Sequence, residues 1–256
     1  MIRYKQMVRL SSDNIHIWYA KLDQPRPHIK ELEQTLSINE LMRAKRFRFE
    51  RDRRRFTVGR GILRKLLGLY SDIEPGQLRF HYGPYGKPYL IFEGDGAKQV
   101  RFNLAHSHEL AIYAFILDRR IGVDLEYVRD MPDIDQIAAA FFSATENTML
   151  SELPKDQKQE AFFNCWTRKE AYIKAIGNGL SHPLDQFDVS IIPGEPARLL
   201  KIAGAPKEAS RWSLKALSPA PGYAAAIAVE GHDWKIQNWH YDRLMNLQEA
   251  SFENPI

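Results

Sequence analysis

Cysteine is nearly missing from this chain: Cys165 is the only one in 256 residues. One thiol closes no internal disulfide, so the sequence points to a fold held by its core in a reducing compartment such as the cytoplasm. No apolar run is long enough to cross a membrane. The first residues, Met1-Ile2-Arg3-Tyr4-Lys5, lack the apolar core of a secretory signal. Gly-x-Ser-x-Gly is absent, which weakens any hydrolase reading. Zinc-finger, homeodomain and RNA-recognition signatures are absent too. An acidic excess is also missing, because 36 Lys and Arg against 32 Asp and Glu leave a net charge of +4.

What is present suits a globular chain with a substantial core, built as one large domain or as two packed halves. The positive charge is concentrated. Arg43, Lys45, Arg46, Arg48, Arg51, Arg53, Arg54, Arg55, Arg60, Arg64 and Lys65 fall within one short stretch. Such a field attracts polyanions: nucleic acid, a phosphorylated cofactor or an acidic protein.

Residues 15–20 alternate as a strand does. Residues 39–69 read as an interrupted helix, with Phe47, Phe56, Ile62, Leu63, Leu66 and Leu67 as its apolar positions. Gly83-Pro84-Tyr85-Gly86-Lys87-Pro88 is a turn. Residues 100–104, 110–117 and 121–128 follow as strands, with His106-Ser107-His108 as a connection. Ser143 and Glu146 have capping-box spacing. Residues 160–176 form the clearest helix, with Cys165 on its apolar stripe as a buried structural thiol, and Gly177-Asn178-Gly179 is a plausible stop. Five short strands are expected at 187–192, 199–202, 211–217, 223–229 and 235–239. Helices followed by runs of strands predict an α+β fold. The segment 244–256 has little pattern and reads as a tail.

Two stretches carry the chemistry. In Gly122-Val123-Asp124-Leu125-Glu126 the two acids are two apart on a strand, so both face one side. In Trp166-Thr167-Arg168-Lys169-Glu170-Ala171-Tyr172-Ile173-Lys174, Glu170 and Lys174 are four apart on a helix. By itself that spacing describes a surface ion pair contributing about 0.3–0.5 kcal/mol. Three convergent carboxylates beside a lysine instead suit a hard divalent cation shared with a phosphate. His106 with Ser107 suggests a phosphate contact rather than a triad. His106-Ser107-His108 has no third ligand that would make it a zinc site.

These motifs, with Phe102-Asn103-Leu104-Ala105-His106-Ser107, residues 47–55 and Gly86-Lys87-Pro88, resemble the 4′-phosphopantetheinyl transferases of the surfactin-synthetase-activating (Sfp) type. The resemblance covers roughly residues 15–190. It implies two similar α/β halves joined as an intramolecular pseudo-dimer. The halves would be 1–118, with the coenzyme A nucleotide contacts, and 119–243, with the metal site and carrier-protein docking. It also implies transfer of phosphopantetheine from coenzyme A to a serine of an apo acyl or peptidyl carrier protein, releasing 3′,5′-ADP. Asp124, Glu126 and Glu170 match the family's Mg²⁺ acids, with Mn²⁺ as the alternative ion. Asp124, Glu170 and Lys174 match its catalytic residues, Glu170 as the base and Lys174 as the partner of the leaving phosphate. His106, Lys87, Arg43, Arg55 and Lys174 match positions that contact coenzyme A. The family often has Ser-His-Ser where this chain has Ala105-His106-Ser107, which removes one hydroxyl from that contact.

Carrier domains are typically acidic around their serine, so a basic and apolar docking surface is expected; the resemblance implies that it lies within 127–142, with Met131, Ile134 and Phe141 as candidates. These three could equally pack in the core. A monomer is expected, with no nucleic-acid or membrane partner. The competing readings are a metal-dependent nuclease, whose acid-x-lysine spacing is absent, and a binding module without turnover.

Overall fold

The computed structural model describes residues 8–90, 99–177, 179 and 182–244. Asn178, Leu180 and all of the expected tail except Leu244 lie outside these residues. The fold is mixed α and β, and among the described residues its strands form one mixed sheet, one antiparallel sheet and two short pairs.

The first sheet contains β1 (Asn14–Lys21), β4 (Val100–Ser107) and β5 (Leu110–Leu117). It is completed by β11 (Lys235–His240), in the order β11-β1-β5-β4. Only β11 runs parallel to its neighbour, pairing Trp18 with Trp239. The last described strand therefore returns to the sheet built by the first half of the chain. Tyr241 and Leu244 follow it into the same core. The second sheet is β6 (Ile121–Tyr127), β10 (Tyr223–Glu230) and β9 (Trp212–Leu217), in the order β6-β10-β9. Short pairs are formed by β2 (His81–Tyr82) with β3 (Pro88–Tyr89), and by β7 (Phe187–Val189) with β8 (Leu199–Ile202).

Six helices are described: α1 (Arg26–Glu33), α2 (Ile38–Lys45), α3 (Glu50–Ser71), α4 (Ile134–Phe141), α5 (Ala144–Glu152) and α6 (Lys155–Ile176). The interruption expected in 39–69 is the segment between α2 and α3. Ser37 caps α2 and Ser143 caps α5, each through a reciprocal pair with the glutamate three residues on. α1 was not expected from sequence, because two prolines open it. Pro25 is its N-cap and another stands in its first turn, where a missing N–H has no helical partner anyway.

The period-2 rule explains the layering. Trp18, Ala20, Ala111, Tyr113 and Phe115 point from the first sheet onto Val58, Ile62, Leu63 and Leu66 of α3. The opposite faces of the two sheets supply one common core: Ile15, Ile17, Ile112, Ala114 and Ile116 with Val123, Leu125, Ile227 and Val229. The outer face of the second sheet, with Ala226 and Ala228, packs on Ala171, Tyr172 and Ala175 of α6. The order is thus α3, sheet, sheet, α6. Among the described residues, no helix is long and apolar enough to cross a membrane.

Candidate active site

The site lies where β6 meets the last turns of α6. Gly122, Asp124 and Glu126 lie on the β6 face that meets the helix, while Val123 and Leu125 enter the core between the sheets. The expected shared face of the two acids is therefore present. Glu170 and Lys174 are one turn apart on α6, and both border a cleft of about 600 Å³. Its other walls are Tyr85, Gly86, Lys87 and Pro88 of the β2–β3 turn, with Asn103 and Leu104 of β4.

Lys174 Nζ donates to Asp124 Oδ1 at 2.5 Å. Asp124 is 4% exposed, and its Oδ2 is buried with no hydrogen-bond partner. Burial raises the Glu126 carboxyl above its usual value, and the charge of Asp124 adds to this against a hydrogen bond from Ser107. Burial also raises Glu170, with Asp124 and Glu126 adding repulsion that Lys174 opposes. For Lys174 burial acts downward, yet the pull of Asp124, Glu170 and Glu126 outweighs it, so its value lies above that of a free lysine. Three acids share one ammonium, and negative charge is left over.

Among the described residues, no group of three acid, histidine or cysteine side chains stands ready to hold a metal. The donor chemistry nonetheless fits a hard cation. The donors are all carboxylate oxygens, one of them is buried and unpartnered, and two of the acids are raised partly by mutual repulsion.

Side chains of β4 hold β6 in place where no backbone ladder joins the two strands. Asn103 Oδ1 accepts the Val123 N–H at 2.9 Å. Ser107 Oγ accepts the Tyr127 N–H at 3.0 Å and donates to Glu126 at 2.9 Å. Ser107 thus serves Glu126 and the Tyr127 N–H rather than pairing with His106. Sequence reading placed residues 106–108 in a connection, whereas β4 extends to Ser107 and turns at His108, φ 53°. His106 ends up on this strand near the cleft. The protein around it, then the Lys174 and Arg55 cations, pull its value below that of a free histidine.

The remaining expected contacts lie farther out. Arg55 makes a two-pronged ion pair with Asp23 and donates to the His108 carbonyl. Arg43 borders a separate groove of about 650 Å³ with Asn39, Met42, Arg46 and Phe47, and its guanidinium lies over Phe56. Lys87 lines the cleft, but its ammonium turns inward onto main-chain carbonyls.

The second motif divides its labour. Arg168 and Lys169 are buried on the other side of α6. Arg168 donates to the Ser190 carbonyl, and Lys169 pairs with the buried Glu146 and with the carbonyls of Leu184 and Phe187. Glu170, Ile173 and Lys174 are the residues of this run that border the cleft, and Glu170 and Lys174 are its charged members there. Gly122 is the functional position that sequence reading passed over. A Cβ there would stand 2.1 Å from the Ala171 carbonyl oxygen and 2.3 Å from the Ala175 nitrogen. A glycine two residues before an acid on a buried strand is the signal that could have exposed it.

An acid cluster facing a lysine beside an open cleft, on a mixed α/β frame, has the donor chemistry that suits a hard cation and a phosphorylated group. Comparison with known proteins makes this particular. A model of the 4′-phosphopantetheinyl transferase superfamily matches residues 120–228, and a model of the 4′-phosphopantetheinyl transferase N-terminal region matches residues 23–116. The 4′-phosphopantetheinyl transferase HetI of Nostoc sp. is 45% identical over 234 residues, 91% of this chain and 94% of that protein. The 4′-phosphopantetheinyl transferase Sfp of Bacillus subtilis is 30% identical over 192 residues, 75% of this chain and 81% of that protein. The chain belongs to the 4′-phosphopantetheinyl transferase family, a family of transferase enzymes.

Proposed function

We propose that this chain transfers the 4′-phosphopantetheine group of coenzyme A to a serine of an apo acyl or peptidyl carrier protein, releasing 3′,5′-ADP. The observation that carries this reading is the placement of Asp124, Glu170 and Lys174 at one end of an open cleft. The serine Oγ attacks the phosphorus that bears the pantetheine arm. The bond from that phosphorus to the bridging oxygen of the pyrophosphate breaks, and the serine proton passes to Glu170, directly or through water. A carboxyl raised by burial suits that task at neutral pH. Lys174, held cationic by Asp124, stabilises the charge developing on the departing 3′,5′-ADP. His106 and the cleft wall orient the phosphates.

Asp124, Glu126 and Glu170 would hold Mg²⁺, or Mn²⁺ in its place. Such an ion supplies charge neutralisation at the pyrophosphate. Arg43 and Arg55 are assigned to the 3′-phosphate of coenzyme A, and for Arg55 this requires its pair with Asp23 to open. Lys87 contributes its aliphatic stem to the wall of the nucleotide cleft.

We further assign the two halves, 1–118 and 119–243, to a pseudo-dimer within one chain. Each half sets a 22-residue helix, α3 or α6, against a sheet, and β11 crosses from the second half to complete the sheet of the first. A monomer follows from that reading, and the single cysteine supports a reducing cytoplasm. The carrier docks on 127–142, where Phe141 is 44% exposed and meets Trp166 edge-on. Met131 and Ile134 are half-buried and pack against the core.

The test is mass spectrometry of apo carrier proteins incubated with this chain, coenzyme A and Mg²⁺. A mass gain of one phosphopantetheine is expected. No gain across acyl and peptidyl carriers would overturn the reading.

A further inference from the structure

Lys87 is the one residue of the β2–β3 turn whose charge leaves the turn. The turn itself is tightly set: Gly83 N–H donates to the Lys87 carbonyl, Gly86 N–H donates to the Gly83 carbonyl, and Gly86 takes φ 80°. From this base the Lys87 side chain runs past Gly177, whose Cβ, were it present, would touch the lysine Cδ at 3.8 Å. Its Nζ then reaches the carbonyls of Ile121 at 2.8 Å, Lys174 at 2.5 Å and Ala175 at 3.4 Å.

An ammonium has three N–H donors and no acceptor. Three carbonyls therefore use all of its hydrogen-bonding capacity. The partners are specific in what they do. Lys174 and Ala175 belong to the last turn of α6, where carbonyls have no partner within the helix and the dipole favours a cation. Ile121 opens β6, the edge strand that bears Asp124. One side chain from the first half thus ties the end of the helix that carries Glu170 and Lys174 to the start of the strand that carries Asp124. Gly122 lets the two backbones touch, and the Lys87 ammonium bridges them beside that contact. Burial and the nearby cations Arg101 and Arg120 lower the lysine to about 8, and its hydrogen-bond partners are carbonyls rather than a carboxylate.

We propose that Lys87 is a positioning residue for the transfer reaction: through the carbonyls of Ile121, Lys174 and Ala175 it fixes Lys174 against Asp124, and its ammonium does not bind the phosphates of coenzyme A. This rests on the function proposed above. Arginine does not replace it, because a planar fork cannot satisfy three converging carbonyls as a tripod does.

The experiment is a double-mutant cycle of Lys87→Met and Lys174→Met. kcat and KM are measured for carrier modification, and the Kd for coenzyme A by calorimetry. Lys87→Met alone should lower kcat by about 10- to 100-fold, the scale of a displaced catalytic group. Its Kd for coenzyme A should stay within about threefold of wild type, and Lys87→Arg should not restore kcat. In the Lys174→Met background the same change should cost less than about threefold, because the group it positions is gone. Lys87→Gln, which keeps part of the donor set, replaces Lys87→Met in the cycle if the methionine variant does not fold. Equal losses in both backgrounds overturn the proposal, as does a tenfold weaker Kd with kcat retained. A wild type inactive on every carrier overturns the transfer reading along with it, whereas additive losses in an active wild type overturn this proposal alone.

Discussion

Gly122 lies directly beneath Ala171: a Cβ on Gly122 would come within 2.1 Å of the Ala171 carbonyl oxygen. Strand and helix backbones touch there, and that contact sets the distance between Asp124 on one and Lys174 on the other.

Gly122→Ala should therefore be costly. The obstacle is backbone, which cannot swing aside, so overpacking should reach about 3 kcal/mol or more. A chemical denaturation midpoint close to wild type would show that α6 shifts freely, and that the close approach does not set the site.

Asp124→Ala and Glu170→Gln should each lose at least about 100-fold in turnover, the usual scale of a lost acid–base group, while circular dichroism remains that of a folded protein. Lys174→Ala should lower kcat more than it raises KM for coenzyme A. Wild-type rates in purified, folded variants would remove these residues from the chemistry.

Crowded carboxylates with one unpartnered oxygen should be stabilised by a divalent ion. Mg²⁺ at 100 times its Kd should add about 2.7 kcal/mol and raise the melting temperature accordingly. The same titration of Asp124→Ala or Glu170→Gln should leave the melting temperature flat. An equal rise in all three proteins would locate the ion elsewhere.

Phe141 is exposed beside Trp166 at the end of α4. Phe141→Ala should raise KM for the carrier by about tenfold, the cost of one interface anchor, and leave KM for coenzyme A unchanged. An unchanged carrier KM would move docking off this helix.

His16 is buried, with its Nδ1 2.9 Å from the Tyr70 hydroxyl, and burial lowers it from 6.5 to about 4. Its folded value is depressed, so between those limits the unfolded chain takes up a proton that the folded chain refuses. Stability should be complete above pH 6.5 and fall as pH drops toward 4, by roughly 3 kcal/mol at most. His16→Gln should flatten the part of this acid limb that His16 contributes. Identical melting-temperature profiles between pH 7 and 4 would refute the assignment.

Much of this was legible in the chain alone. Alternation along 121–127 put Asp124 and Glu126 on one face, helical spacing put Glu170 with Lys174, and Ser143 with Glu146 marked the start of α5. These are local patterns, and backbone periodicity determines them whatever the rest of the fold does. The last strands were legible for the same reason, though not where β11 would go.

Tertiary structure decided what periodicity cannot encode. It set Lys169 into a buried pair with Glu146 while Glu170, one residue on, borders the cleft. It turned Ser107 toward Glu126 instead of His106. It took the Lys87 charge, which the family resemblance had placed beside a nucleotide, onto the end of α6. Each outcome depends on which donor meets which acceptor across elements far apart in sequence, and only packing brings such partners within hydrogen-bond range.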